Sequence, residues 1–431
     1  MIVRIGICAV IPAIPALLFG AVFAAAPSMK HDMPREILSW RDEILSRDEY
    51  EGLVSQWQTY IERHPASAAA HVQLARAMRY AGESEEEQNR VIQRAFELDP
   101  DCPEALDAVA GTAFNDVAPL LCHEEAIRYL ERAIELAPHW TYPHCNLCSL
   151  GLVTGRIDFA HEHARALVRK GGIPAPLMDF AYNMLVSAEP GATIITNGDN
   201  DTYPLLALQA AHGLRTDVVV APVGALNRIA FARSAWRHVF GDDVPLTDGE
   251  LEKIHSRAKT DSEPSGETHA SRVMSALFEK VRAGEWRKPV YFALTTASAH
   301  RQACPLELEI HGLLWRVLPT SKGADDHELL VDVTKTRRLV LDEFRLESAT
   351  DLSYPWLPES AILLVVRVYT GILCLLAERS ADLGNLEASR LAFHTVLEML
   401  EFHGDEARIQ DVATSWKEID PENPEINRWI Q

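Results

Sequence analysis

The chain has 431 residues, 47% of them hydrophobic and 24% charged, and carries a net charge of −21 from 41 basic and 62 acidic side chains. That length supports two or three domains with true cores, and the composition is that of a globular protein. The acidic balance excludes sequence-independent nucleic-acid binding and adhesion to anionic lipid, both of which need a basic surface.

The first residues read as an export signal over residues 1–24. Arg4 supplies the basic start, Ile5 to Phe23 is apolar and uncharged, and Ala24, Ala25 and Ala26 follow. Cleavage after Ala24 fits the small residues Val22 and Ala24. The rival reading is an uncleaved anchor, because the run is about long enough to span a bilayer. Pro12 and Pro15 within it favour a signal. The expected location is exported, in the periplasm or cell envelope, with no membrane span after signal removal. Six cysteines then remain, too few for a disulfide scaffold in so large a chain. Cys145 and Cys148, beside His144, form a Cys-x-x-Cys pattern, which reads as redox, metal-binding or simply small buried helix residues. The last fits best, since no second ligand pair stands near.

Residues 34–172 repeat. Arg94-Ala-Phe-Glu-Leu-Asp-Pro100 and Arg132-Ala-Ile-Glu-Leu-Ala-Pro138 are one phrase at a spacing of 38, and Ile61-Glu-Arg-His-Pro65 is a looser earlier copy. The pattern predicts helix pairs: Ala69–Tyr80 with Glu85–Leu98, Pro103–Ala113 with His123–Leu136, and Pro143–Val153 with Phe159–Arg169. Proline closes each unit because it cannot continue a helix. Such pairs resemble tetratricopeptide repeats, with a lengthened connection around Phe114–Leu121. Arrays of this kind form curved binding surfaces, unless the rest of the chain covers the groove.

Gly171-Gly-Ile-Pro-Ala-Pro176 breaks the pattern and opens a mixed region, residues 173–350. Ala192–Thr196, Asp217–Ala221, Pro289–Thr295 and Leu313–Leu318 read as strands. Leu205–His212, Leu226–Phe240 and Ser271–Arg282 read as helices, and Lys259–Thr268 as a loop. Residues 357–431 return to helices: Ile362–Asp382, Leu386–Phe402 and Ala407–Ile419. The fold class expected is α+β or α/β and multi-domain, with tetratricopeptide-like repeats and a helical C-terminal part flanking a small α/β domain.

The most informative stretch is Gly191-Ala-Thr-Ile-Ile-Thr-Asn-Gly-Asp-Asn-Asp-Thr-Tyr-Pro204. It reads as a strand running into an acidic loop and then a helix. Ligands bind at such junctions. Asn197, Asp199, Asn200, Asp201 and Thr202 are the candidate ligand-binding residues. Clustered oxygens suit Ca²⁺ or Mg²⁺, and Asp199-x-Asp201 matches the Asp-x-Asp pattern by which many glycosyltransferases hold a metal and a sugar nucleotide. The loop is neither an EF-hand nor a phosphate cradle. The competing assignment is structural: Asp201 or Thr202 caps the next helix, with Pro204 in its first turn, while Asp199 and Asn200 make the turn. Whether a metal binds stays open, and the sequence names no cofactor. Neither Gly-x-Ser-x-Gly nor His-Glu-x-x-His occurs, and His161 and His163 are spaced wrongly to share a helix face.

Phe180-Ala-Tyr-Asn-Met184, the phrase Ser187 to Leu205, His212-Gly-Leu-Arg-Thr-Asp-Val-Val-Val220, Lys288-Pro-Val-Tyr-Phe-Ala293 and Gly312-Leu-Leu-Trp-Arg-Val-Leu-Pro319 carry a resemblance. The region Met178–Pro319 resembles the soluble C-terminal part of large bacterial membrane proteins whose membrane half is related to protein O-mannosyltransferases. A vertebrate O-mannosyltransferase with a tetratricopeptide-bearing luminal tail belongs to the same group. This sequence does not include the multi-spanning half with the presumed catalytic acid, and Leu206 and Ala207 replace the family's aromatic pair. The resemblance therefore implies an exported accessory domain and carries no transferase activity across. The function expected is that of an exported binding or scaffold protein acting with a protein or glycan partner in cell-envelope glycosylation or assembly. Arg215 and Asp217 are expected to buttress the acidic loop. The alternative is a metal-dependent glycosyl-transferring or hydrolysing enzyme using Asp199 and Asp201.

Overall fold

The computed structural model describes residues 33–114, 119–260, 268–323, 329–351, 360 and 362–430. The expected signal, part of the expected connection around Phe114–Leu121 and most of the expected 259–268 loop lie outside them.

The N-terminal half is a run of helices: α1 (Arg47–Arg63), α2 (Ala68–Ala81), α3 (Glu85–Leu98), α4 (Pro103–Gly111), α5 (His123–Leu136), α6 (Tyr142–Val153), α7 (Ile157–Arg169) and α8 (Ala175–Ser187). Local chemistry sets their ends. Ser46, Ser67 and Ser84 accept the first-turn amides of α1, α2 and α3 through their hydroxyls, and Pro103 opens α4, where a missing N–H costs nothing. The expected pairs form within two residues of their predicted bounds, and α1 and α8 are additional. Helices α1 to α5 pack only on near neighbours, so their apolar side chains fall into small separate clusters.

The second half holds a six-stranded mixed sheet: β1 (Thr193–Thr196), β2 (Val219–Pro222), β3 (Val290–Ala293), β4 (Leu306–His311), β5 (Leu314–Ser321) and β6 (Leu330–Val331), in the order β2-β1-β3-β5-β4-β6. β1 pairs in parallel with β2 and β3, and β5 pairs antiparallel with β3 and β4. Strands β1, β2 and β3 are buried at every position, as parallel strands covered on both faces must be. Helices α9 (Asp199–His212), α10 (Val223–Leu226), α11 (Ile229–Phe240), α12 (Asp248–Thr260), α13 (His269–Arg282), α14 (Ser298–Gln302) and α15 (Val333–Arg338) accompany the sheet. Then come α16 (Leu363–Asp382), α17 (Leu386–His403) and α18 (Glu406–Ile419). One continuous core joins α6 and α7, the sheet with its helices, and α16 to α18.

Two strands escape the sequence reading. Leu306-Glu-Leu-Glu-Ile-His311 alternates apolar and polar residues as a strand does. It turns into β5 at Gly312, whose φ of 59° suits glycine and where a Cβ would stand 2.4 Å from Ser187 Oγ. The expected helix Leu205–His212 begins six residues earlier, at Asp199. Pro204 therefore lies in the second turn, not the first. Capping by Asp201 starts the helix within the stretch read as a loop.

Candidate functional site

β1 is the point where the chain reverses across the sheet, to β2 on one side and β3 on the other. Crevices at the carboxyl ends of strands around such a reversal are the usual ligand sites of open α/β sheets. Here the β1 end and the β3 end are tied together. Thr296 Oγ1 donates to Ile195 O at 3.0 Å, and the Ala297 amide donates to Asn197 Oδ1 at 3.2 Å.

Asp201 is the centre of this junction and is 3% exposed. Its Oδ2 accepts the Asn197 amide at 2.8 Å and the Thr295 hydroxyl at 2.5 Å, while Oδ1 accepts the Gly198 amide at 2.8 Å. It stands three residues into the helix and reaches back to the residues before it, the reciprocal half of a capping box. Burial pushes its carboxyl above the usual range, against the pull of these hydrogen bonds. Thr202 is equally internal, its hydroxyl 2.7 Å from that of Thr196. Asp199, Asn200 and Asn197 face outward. Asp199 Oδ2 receives Arg41 Nη1 at 3.0 Å, and Asn200 Nδ2 donates to Arg41 O at 3.0 Å.

Arg41 belongs to the segment preceding α1, which lies along the inner face of the helical array. Gln73 Oε1 accepts the Ile37 amide at 2.7 Å, and Arg76 Nη1 donates to Ile37 O at 2.7 Å. The Tyr142 hydroxyl donates to Asp42, and the Arg41 guanidinium stands 5.2 Å from the Tyr142 ring centre. The array, this segment, the start of α9 and the start of α16 line an open cavity of about 910 Å³. Asn197, Asp199, Asn200 and Asp201 line it; Thr202 does not. Four arginines, Arg41, Arg76, Arg79 and Arg367, also line it. Its acids are already engaged: Asp107 is buried and accepts Asn146 Nδ2 at 2.7 Å, Asp199 pairs with Arg41, and Asp201 is saturated. At the wall Trp40, 50% exposed, stacks on Tyr80 with centroids 4.5 Å apart.

Residues 177–229 match the family described as TMEM260-associated domain 2. The matched segment runs from α8 through β1, the acidic turn, α9 and β2 to the start of α11. No curated protein matches the chain. Within the segment, Arg215 and Asp217 do not buttress the acidic turn as the sequence reading expects. They hold the opposite end of β1. Arg215 donates to the carbonyls of Leu185, Ala188 and Glu189 at 2.7–2.9 Å, and Asp217 accepts the Gly191 amide at 2.8 Å. That end needs them because the last carbonyls of α8 lack helical partners.

Sequence reasoning missed every cavity group outside the acidic turn. Arg76 and Arg79 had a signal: two arginines three apart in an alanine-rich helix share one face. Arg41 had none, since it meets Asp199 across 158 residues of chain. Cys145 and Cys148 are both buried in α6, and burial pushes both thiols up, Cys145 to about 11, which removes thiolate reactivity. Among the described residues, no helix is long and apolar enough to cross a membrane.

Proposed function

We propose that this chain is an exported binding protein that seats an acidic glycan, one bearing carboxylate or phosphate groups, between its helical array and the acidic turn. It would serve cell-envelope glycosylation or assembly as an accessory without a catalyst of its own. The observation that carries this reading is the cavity's charge. In a chain with a net charge of −21, four arginines line one space whose carboxylates are neutralised or buried; Arg41 is spent on Asp199 and Arg76 on Ile37 O, which leaves the exposed Arg79 and Arg367 to meet an anion. Guanidinium groups bind carboxylate and phosphate in bidentate fashion. The exposed Trp40 face beside them offers the flat apolar surface on which a sugar ring stacks, which favours a glycan over an acidic peptide.

Two resemblances support the setting. The helix pairs look like tetratricopeptide repeats, whose inner helices form binding surfaces. The matched segment looks like the soluble region of membrane proteins related to protein O-mannosyltransferases. The metal-dependent enzyme reading draws less support, because Asp201 spends both oxygens on three donors and Asp199 is paired with Arg41.

The test is calorimetric titration of the full chain with tetragalacturonate and, separately, with the neutral maltotetraose. The expected result is binding of the acidic sugar alone, weakening as salt is raised. Equal binding of the neutral sugar, or binding of neither while a polyglutamate peptide binds, would overturn the reading.

A further inference from the structure

A second cluster lies away from the cavity, on the seam between the last helical hairpin and the sheet unit. Asp158 and His161 are three apart on α7, so they project from one side of that helix. His238 comes from α11. One ligand atom from each of the three lies within 4.8 Å of the others. His238 Nδ1 is 3.9 Å from Asp158 Oδ1, and the two imidazoles meet edge to face with centroids 5.2 Å apart. His163, two residues on, points to the other side of α7 and meets His144, with Nδ1 atoms 3.0 Å apart.

We propose that Asp158, His161 and His238 form a zinc site that clasps α7 to α11. Two imidazoles and one carboxylate are a borderline-soft donor set suited to zinc, and water would complete the tetrahedron. Ligand atoms around tetrahedral zinc stand about 3.4 Å apart, so the cluster must contract by roughly an ångström. The Asp158 carboxylate, 96% exposed, can rotate inward for its share of this contraction, and the two imidazoles must turn for the rest.

The backbone keeps the two helices close enough for this. Gly155, in the turn before α7, has a φ of 74°, and a Cβ there would stand 2.6 Å from Ala230 O and 2.7 Å from Ser234 Oγ of α11. That close approach holds the two helices together at the seam independently of any metal. The bland account of the same residues is an aromatic contact beside a solvated carboxylate, and it predicts no zinc uptake.

Zinc chloride titrated into the full chain decides between them, followed by calorimetry and by melting temperature, with magnesium chloride as the control. The expected result is one zinc bound per chain and a raised melting temperature, with neither effect from magnesium. His161→Ala and His238→Ala should each weaken zinc binding by about tenfold or more, and Asp158→Asn should weaken it less. X-ray absorption of the zinc-loaded protein keeps the proposal testable if a variant misfolds, because it should report two imidazole ligands. No zinc uptake by the unaltered chain, uptake undiminished in His238→Ala, or a spectrum lacking two imidazoles would overturn it.

Discussion

The two walls of the cavity differ in how their polar groups are used. On the sheet wall, Asp201 and Thr295 are bonded to each other, and behind them Thr202, Thr196 and Thr296 are bonded to one another or to backbone at the ends of β1 and β3. On the array wall, Arg79 is exposed, as is Arg367 at the start of α16, and Trp40 shows half its surface. On the proposed function, the contrast separates building from recognition. A buried carboxylate that takes three donors holds a strand end and a helix start in register, and is poorly placed to meet a ligand. Exposed guanidinium groups stabilise little and are free to bind. An acidic motif that stands out in sequence can therefore be the frame of a site whose recognising groups come from elsewhere in the chain.

Substitutions on the two walls should differ accordingly. Asp201→Ala strands two backbone amides and the Thr295 hydroxyl in a buried place, and should cost about 2–4 kcal/mol of stability, read by urea unfolding. A cost below about 0.5 kcal/mol would mean that the sheet wall is not held as described.

Acidification should act next most strongly, through the hairpin that joins the array to the main core. Burial, and for His144 also the neighbouring His163, depress both imidazoles to about 4, below the ordinary 6.5. The unfolded chain takes up protons that the folded chain refuses, so this stability is present above pH 6.5 and is lost as pH falls towards 4. Urea midpoints across that range should fall, and His144→Asn with His163→Gln should flatten the slope.

Thr202→Val removes one side of a buried hydroxyl pair and should cost about 1 kcal/mol by the same unfolding measurement. The smallest effect belongs to Asp199→Ala. Its ion pair with Arg41 is 46% exposed on the carboxylate side and 18% on the guanidinium side, and Arg41 keeps its contact with the Tyr142 ring, so the stability change should stay within about 1 kcal/mol. Should it match the loss in Asp201→Ala, the division between frame and recognising surface would collapse.

How much of this was legible in the sequence follows from range. The helix pairs of the array are set by periodicity, by proline after each phrase and by contacts between near neighbours, and their bounds are readable. Strands β1 and β2 are readable as runs rich in β-branched residues and β3 and β5 as apolar and aromatic runs, whereas β4 shows only an alternation of apolar and polar residues and β6 is two residues long. The acidic turn is legible as a motif, and of the two capping candidates it offers, Asp201 and Thr202, the structure uses Asp201. The early helix start is not legible, because Pro204 argues locally against a helix already under way. The array-side groups depend on the segment before α1 folding back over α2 and α6, which no local pattern encodes.

The most direct test of the central claim removes charge from the recognising side while sparing the frame. Tetragalacturonate binding is measured by calorimetry for the unaltered chain and for Arg79→Ala with Arg367→Ala, with urea midpoints to verify folding. The account predicts that the double variant unfolds at nearly the same urea concentration and binds the acidic sugar about tenfold more weakly or worse, a loss of roughly 1.4 kcal/mol. Undiminished binding by the folded double variant would contradict it.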